Sequence, residues 1–384
     1  MTGAPAPVTP VTMASPLRPA SYAWEATDEE VAERFGLDPS TVVRFDLNTN
    51  PFPPESAIRR LSEGSYDRPI SEYPPSDYRR LVAAAATTYG VERNEILVAA
   101  GADEVLDLCA KAFLAEGRAA VIPGPTYAMF RVLTEQRGAT VRAVTRRGPA
   151  EGFAIDVPAV REAARGAALV WLASPNNPTG LPEPNGTIEL LLDGLTADTR
   201  AEPGGSPFVV LDEAYAEFVG RSLVALRHRY ERLVVVRTAS KAYGLAGLRV
   251  GFALAVRATI VRIEPYRPPG SVAVPSIAAV TEALPDIATL TRTVDRIATE
   301  RARLASGLDA LGWPAWPSAT NFLLVPFGSA ATAADIAERL LARGLVPRTF
   351  PADHPLADHL RITVRAPEDD DRLLAALADV GDSR

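Results

Sequence analysis

The chain of 384 residues is 47% hydrophobic and 23% charged; this is the composition of a globular protein with room for one large domain and a smaller one, and it excludes general disorder. Its formal net charge of -7 gives no overall pull toward nucleic acid or an anionic membrane, so a small-molecule partner is expected. One cysteine, Cys109, excludes an internal disulfide, a thiolate zinc cluster and a CxxC redox pair, and its neighbours Leu106, Leu108 and Phe113 suggest a buried core thiol.

Residues 1–19 are rich in Pro, Ala and Thr, lack the charged start and apolar block of a secretory signal, and read as a mobile arm. No apolar run approaches the roughly 20 residues that cross a bilayer, so a cytoplasmic protein is expected. From Ser76 onward, helical stretches alternate with short β-branched apolar runs, the pattern of a mainly parallel sheet covered on both faces. Ser76 is expected to cap a helix that runs through Tyr89 and stops at Gly90. The runs 95–100, 119–122, 168–173, 208–212, 233–237 and 250–255 read as buried strands, most of them apolar enough to be central. The segment 199–207, TRAEPGGSP, reads as a surface loop. A Pro-rich stretch at 265–275 then interrupts the alternation. Beyond it come a long helix over 286–311, a strand at 321–325, a helix over 333–343, a strand at 360–364 and a last helix from near Glu368, a smaller α+β unit.

Four segments carry chemistry. In 237–251, RTASKAYGLAGLRVG, Lys241 lies just past a buried strand among Ser, Thr and three glycines. An isolated lysine is usually a solvated surface charge, but in this setting an amine is partly desolvated and made nucleophilic. Thr238, Ser240 and Arg249 add two hydroxyls and a fixed cation, a set suited to a phosphate. In 208–218, FVVLDEAYAEF, Asp212 ends an apolar strand; it either caps the next helix or, because ligands of open α/β sheets gather at the carboxyl ends of strands, pairs with a heterocyclic nitrogen. Tyr215, three residues on, presents a phenol on the same side of the first turn. The string 174–180, SPNNPTG, suits a tight turn. Gly101-Ala102-Asp103-Glu104 opens a helix whose free N–H groups suit a phosphate, unless it is a plain acidic helix start.

In order along the chain stand FDLNTNPFPP (45–54), EYPP (72–75), GADE, PGPTYAM, SPNNPTG, DEAYAEF, RTASKAYGLAGLRVGF, ATNFLLV and LRITV (360–364). With these segments the chain resembles class I/II aminotransferases, most closely the histidinol-phosphate aminotransferases, over nearly its whole length from about Leu17. The resemblance implies an α/β protein of the fold-type I pyridoxal-phosphate (PLP) group, with a large domain built on a mainly parallel seven-stranded sheet and a small α+β domain. The division it implies is an arm at 1–19, a segment 20–60 joining the small domain, a large PLP-binding domain at 61–275 and the small domain at 276–384.

Carried over residue by residue, the resemblance makes Lys241 the Schiff-base lysine and Asp212 the partner of the pyridine nitrogen. Tyr215 and Asn177 would hydrogen-bond the cofactor's 3′-oxygen, and Tyr127 would stack on its ring. Its phosphate would meet Ser240, Arg249, Thr238 and the backbone of Ala102 and Asp103, with Tyr73 reaching in from the second subunit of a homodimer. Lys241 is then the general base and acid of the proton transfer, and an ionised Asp212 keeps the ring nitrogen protonated. Arg361 matches the arginine for the substrate's anionic end, and Tyr22 and Arg348 match residues that hold a substrate phosphate; Asn177 also borders that substrate. Strand periodicity puts Arg361, Thr363 and Arg365 on one face, and Arg365 is expected to join the cationic cluster.

The implied reaction is L-histidinol phosphate with 2-oxoglutarate to imidazole-acetol phosphate and L-glutamate. An aromatic-amino-acid aminotransferase and a threonine-phosphate decarboxylase share most of these motifs. A non-catalytic regulator would need a DNA-binding module, for which the short arm leaves no room. The chain departs from the family pattern at Trp24-Glu25, where Pro-Gly is common, at Arg365-Ala366, where Gly-Thr is usual, and in the added loop at 199–207; these departures bear on substrate identity.

Overall fold

Successive side chains of a strand point to opposite faces, so a run with an apolar residue at every position, such as Leu233-Val234-Val235-Val236, demands cover on both sides. The computed structural model describes residues 21–64, 66–198 and 205–381 and provides that cover. The expected arm at 1–19 and most of the loop at 199–207 lie outside the described residues. The strands are β1 (Val43–Arg44), β2 (Ile96–Ala99), β3 (Ala119–Gly124), β4 (Thr140–Thr145), β5 (Leu169–Ala173), β6 (Phe208–Asp212), β7 (Leu233–Thr238), β8 (Gly251–Leu254), β9 (Phe322–Pro326), β10 (Leu345–Val346) and β11 (His359–Thr363).

Seven of them form one sheet in the order β2-β8-β7-β6-β5-β3-β4, parallel except that β8 runs against both its neighbours. On one face Val170, Leu172, Leu211 and Val235 pack with Leu81, Leu191 and Ile277. On the other, Trp171, Val210, Val234 and Val236 pack with Leu106, Phe130 and Cys109, whose thiol is pushed up in pKa by complete burial. Strand β4 has no counterpart in the sequence reading, because as an edge strand it is half-buried only at Val141 and Val144, exposed elsewhere, and has no continuous apolar run.

The helix expected from Ser76 begins instead at Arg79 and ends at Gly90. Tyr78 sets its start: buried in the large core and held at φ 45, it breaks the helical path before Arg79. The helix Val274–Ala283 straddles the boundary expected at residue 275, and Ile277, Ala279, Val280 and Ala283 all sit in the core of the large sheet. A second core gathers Val43 and Phe45 with Ile297 and Leu304 of the long helix Ile287–Ala310, the antiparallel pair β9–β11 and the helix Ala330–Leu341. In this core β1 pairs in parallel with β10, so the early residues 43–44 join the smaller unit.

Candidate active site

The carboxyl ends of β5, β6 and β7 lie side by side, and the turn Ser174–Gly180, Asp212 and the loop around Lys241 emerge there together. They close on a cavity of about 80 Å3 lined by Ala102, Asp103, Tyr127, Asn177, Asp212, Tyr215, Thr238, Ser240, Lys241 and Arg249, with Ala214 the one further lining residue. Lys241 donates from Nζ to the Leu47 carbonyl at 3.2 Å. Burial and the cations of Arg361 and Arg249 lower its amine to about 8, so a substantial neutral fraction exists near neutral pH. Asp212 is pushed the other way, to about 7, chiefly by burial and against the N–H of Ala214, which donates to its Oδ1 at 2.9 Å. A buried carboxyl with so costly a charge is a ready partner for a cation brought into the cavity.

Tyr215 sits on the last residue before the short helix Ala216–Val219, its hydroxyl accepting from Asn48 Nδ2 at 2.8 Å, which leaves the phenolic hydrogen to donate. Burial raises its pKa and keeps the phenol neutral. Asn48 itself stands at φ 52 and accepts from Asn321 Nδ2 through its backbone carbonyl at 3.0 Å. Its motif, FDLNTNPFPP, was visible in the sequence, but nothing in the spacing assigned it a partner 167 residues away.

Anion-binding groups line the far wall. The helix Gly101–Phe113 points its first turn into the cavity, presenting Ala102 and Asp103. Gly101 is required there: at φ +86, an added Cβ would lie 2.5 Å from Arg249 Nη2. Gly251 is tighter still, since its Cβ would lie 2.4 Å from the Gly101 carbonyl carbon; β8 and the helix start approach as closely as backbones can. Ser240 accepts at Oγ from Thr238 at 2.9 Å, and Thr238 Oγ1 accepts from the Ser240 N–H at 3.1 Å. Arg249 Nη2 reaches Asp103 Oδ2 at 3.3 Å, and Tyr127 donates to Asp103 Oδ1 at 2.8 Å.

A second cavity of about 460 Å3 adjoins the first through Tyr127 and Asn177 and is lined by Tyr22, Arg348 and Arg361 among others. Arg361 and Arg348 face each other across an antiparallel bridge, each backbone N–H donating to the other's carbonyl at 3.0 Å. Arg361 donates from Nη1 to Asn177 Oδ1 at 2.7 Å and from Nη2 to the Asp46 carbonyl, while its buried Nε has no hydrogen-bond partner among the described residues. The Arg348 guanidinium lies 5.0 Å from the Tyr22 ring centroid. Phe350 and His354, which the sequence reading passed over, stack at 4.9 Å on the same wall. Only the contorted path of 347–358 brings them there, so no periodicity could have found them.

Tyr73, expected to reach the site of a second subunit, is 89% exposed and lines neither cavity of its own chain. One expected residue lies elsewhere. Arg365 does not join the cationic cluster: it follows the end of β11, donates from Nη1 to Thr49 Oγ1 at 3.0 Å and pairs with Asp369, because the last helix opens just beyond it.

The description of aminotransferase class I and II matches residues 40–377, and the chain belongs to that family. It is 39% identical over 362 residues to the histidinol-phosphate aminotransferase of Roseiflexus castenholzii, covering 92% of this chain and 93% of the relative. With the histidinol-phosphate aminotransferase of Thermococcus gammatolerans it shares 36% identity, over 88% of this chain and 92% of that one. The crystal structure of histidinol-phosphate aminotransferase from Sinorhizobium meliloti, in complex with pyridoxal-5'-phosphate, has the same fold with a TM-score of 0.85 and 26% identity, covering 97% of this chain and 99% of that one.

Proposed function

We propose that this chain is a PLP-dependent aminotransferase of histidine biosynthesis that transfers the amino group of L-histidinol phosphate to 2-oxoglutarate. The observation that carries the reading is the junction of the two cavities: a lysine, a buried aspartate and a phosphate cradle adjoin a pocket whose lining includes Arg348 and Arg361. The residues fit the cofactor. Asp212 offers a buried carboxylate to its ring nitrogen, Tyr215 and Asn177 offer donors to its ring oxygen, and Ser240, Arg249, Thr238 and the first turn at Ala102 and Asp103 offer a bed for its phosphate. When bound, PLP supplies an electron sink for the bond at the substrate's Cα.

Lys241, half neutral near pH 8, would take the proton from the substrate's Cα and deliver it to the cofactor's C4′. Asp212 holds its proton partner at the ring nitrogen. Arg361 orients the substrate's anionic group, anchored by Asn177 so that its fork points consistently at carboxylate or phosphate. Arg348 and Tyr22 extend the cationic wall beyond the reach of glutamate, which suits a longer, dianionic substrate. The pocket's apolar remainder, including Ile122, Val144 and Phe350, excludes water around the ring end of the substrate.

Two copies are further inferred to share their sites in a cytoplasmic homodimer. Tyr73 and Ile70, exposed at 89% and 76%, lie on one segment and give it the apolar surface a second copy would cover. No helix among the described residues is long and apolar enough to cross a membrane. Half-reactions of the purified, PLP-loaded protein with histidinol phosphate, phenylalanine and threonine phosphate test the substrate. Preference for phenylalanine overturns it in favour of an aromatic aminotransferase, and release of carbon dioxide from threonine phosphate in favour of a lyase.

A further inference from the structure

Residues 21–26 run without regular secondary structure along the rim of the arginine cavity, which Ser21, Tyr22 and Ala23 line. Side chains fasten them at three points. Arg348 donates from Nη1 to the Ala23 carbonyl at 2.7 Å, and Arg44 donates from Nη1 to the Ala26 carbonyl at 2.7 Å. Between them, Glu25 Oε1 accepts from both the backbone N–H and the hydroxyl of Thr349 at 2.8 Å, and the same oxygen lies 3.6 Å from Arg348 Nη1. Apolar packing adds little on the outer side, since Trp24, edge-on to Tyr22 at 4.8 Å, is 73% exposed.

The three fasteners are not equivalent. The Arg348 guanidinium is the group an incoming anion recruits, so its bond to Ala23 competes with the substrate. Arg44 acts at the far end of the segment and is itself paired with Asp46 and Asp28. The Glu25 pair with Thr349 is independent of the anion, and it ties the segment to the residue that follows Arg348. A carboxylate beside Arg348 also tempers that cation when no anion is bound.

We propose that Glu25 is a positioning residue: by clamping residues 21–26 onto Thr349 it sets Tyr22 and Arg348 in the relative placement that receives the distal phosphate of the substrate. It acts through those two residues and not on the reacting atoms. The inference rests on the phosphate-substrate reading above.

The test compares wild type, Glu25→Ala and Glu25→Gln as PLP-loaded full chains, by steady-state kinetics with histidinol phosphate and with glutamate and by amide hydrogen exchange over residues 21–27. Glu25→Ala is expected to raise KM for histidinol phosphate about tenfold with kcat within about twofold, because ground-state positioning is lost while the chemistry is untouched. KM for glutamate should move less than about twofold, and exchange over 21–27 should accelerate. Glu25→Gln keeps an acceptor oxygen for Thr349 and should restore KM to within about threefold of wild type. An unchanged KM in Glu25→Ala, an equal rise for glutamate, or a Gln variant as impaired as Ala overturns the inference. If wild type does not turn over histidinol phosphate, the substrate reading is what falls; exchange over 21–27 then decides the clamp alone, unaltered exchange in Glu25→Ala overturning it.

Discussion

The two joined cavities are built on different principles. The lysine cavity takes its groups from the ends of adjacent parallel strands and the start of one helix, so backbone pairing fixes them: Asp212 and Thr238 end β6 and β7, and Thr238 is registered against Gly251. Its charges nearly balance, Lys241 and Arg249 against Asp212 and Asp103. The arginine cavity draws Tyr22, Arg348 and Arg361 from distant stretches held together by side-chain contacts, and cations dominate it. Rigid strand ends suit chemistry that must not vary, whereas a wall assembled from a rim segment and a loop can be retuned for a new substrate without disturbing the lysine.

The largest expected effect separates the two at once. Lys241→Ala should abolish transamination and covalent cofactor retention while leaving the fold intact, read by visible absorption and circular dichroism. Borohydride reduction and peptide mapping of wild type should label Lys241; a pyridoxyl group on Lys111, the only other lysine, would break the assignment.

Next in size, Asp212→Ala should slow single-turnover transamination on the order of a thousandfold while PLP binding weakens far less, since the phosphate bed survives. A second consequence concerns stability. The folded Asp212 carboxyl titrates at about 7, far above its ordinary value of about 3.9, so its ionisation opposes folding progressively as pH rises from about 4 through 7. Cofactor-free Asp212→Asn should therefore gain thermal stability relative to wild type at pH 8 and show no such gain at pH 4; equal shifts at both would contradict the buried-charge account.

On the arginine side the effects shrink and become selective. Arg361→Leu should cost about ten- to a hundredfold in kcat/KM for both histidinol phosphate and glutamate, a lost charge-assisted bond of roughly 1.5 to 3 kcal/mol. Arg348→Leu should harm the phosphate substrate more than glutamate, and equal damage to both would erase the distinction drawn between the two arginines.

The mildest effect is one of pH. Because the Lys241 amine is lowered to about 8, its nucleophilic neutral form grows as pH rises through that value. The rate of covalent PLP uptake by cofactor-free protein, followed spectroscopically, should rise with a midpoint near 8; a midpoint near 10 would mean the amine is not desolvated.

Much of the lysine cavity was legible in the sequence because it is local. An apolar strand followed by Asp212, another followed by Thr238 to Lys241, and a small-residue helix start at Gly101 each carry their own signal within a dozen residues. Where local signals are weak, sequence and structure part: the edge strand β4 lacks a continuous apolar run, and the helix start at Arg79 is set by the burial of Tyr78, not by Ser76. Arg365 shared strand parity with Arg361, yet parity ends with the strand, and the next helix draws it to Thr49 and Asp369.

By itself, then, the sequence determined the class of fold and placed Asp212, Thr238 and Lys241 at or just past the ends of apolar strands, since these follow from apolar periodicity and from motifs whose parts are neighbours in the chain. Only the tertiary structure decided that Asn48 meets Tyr215, that Arg348 bridges to Arg361 beneath Tyr22, and that Glu25 closes on Thr349. Those contacts join residues separated by 13 to 326 positions, and nothing in the residues themselves names the partner; it is the folding of the smaller unit and its packing against the sheet that bring them within reach of one another.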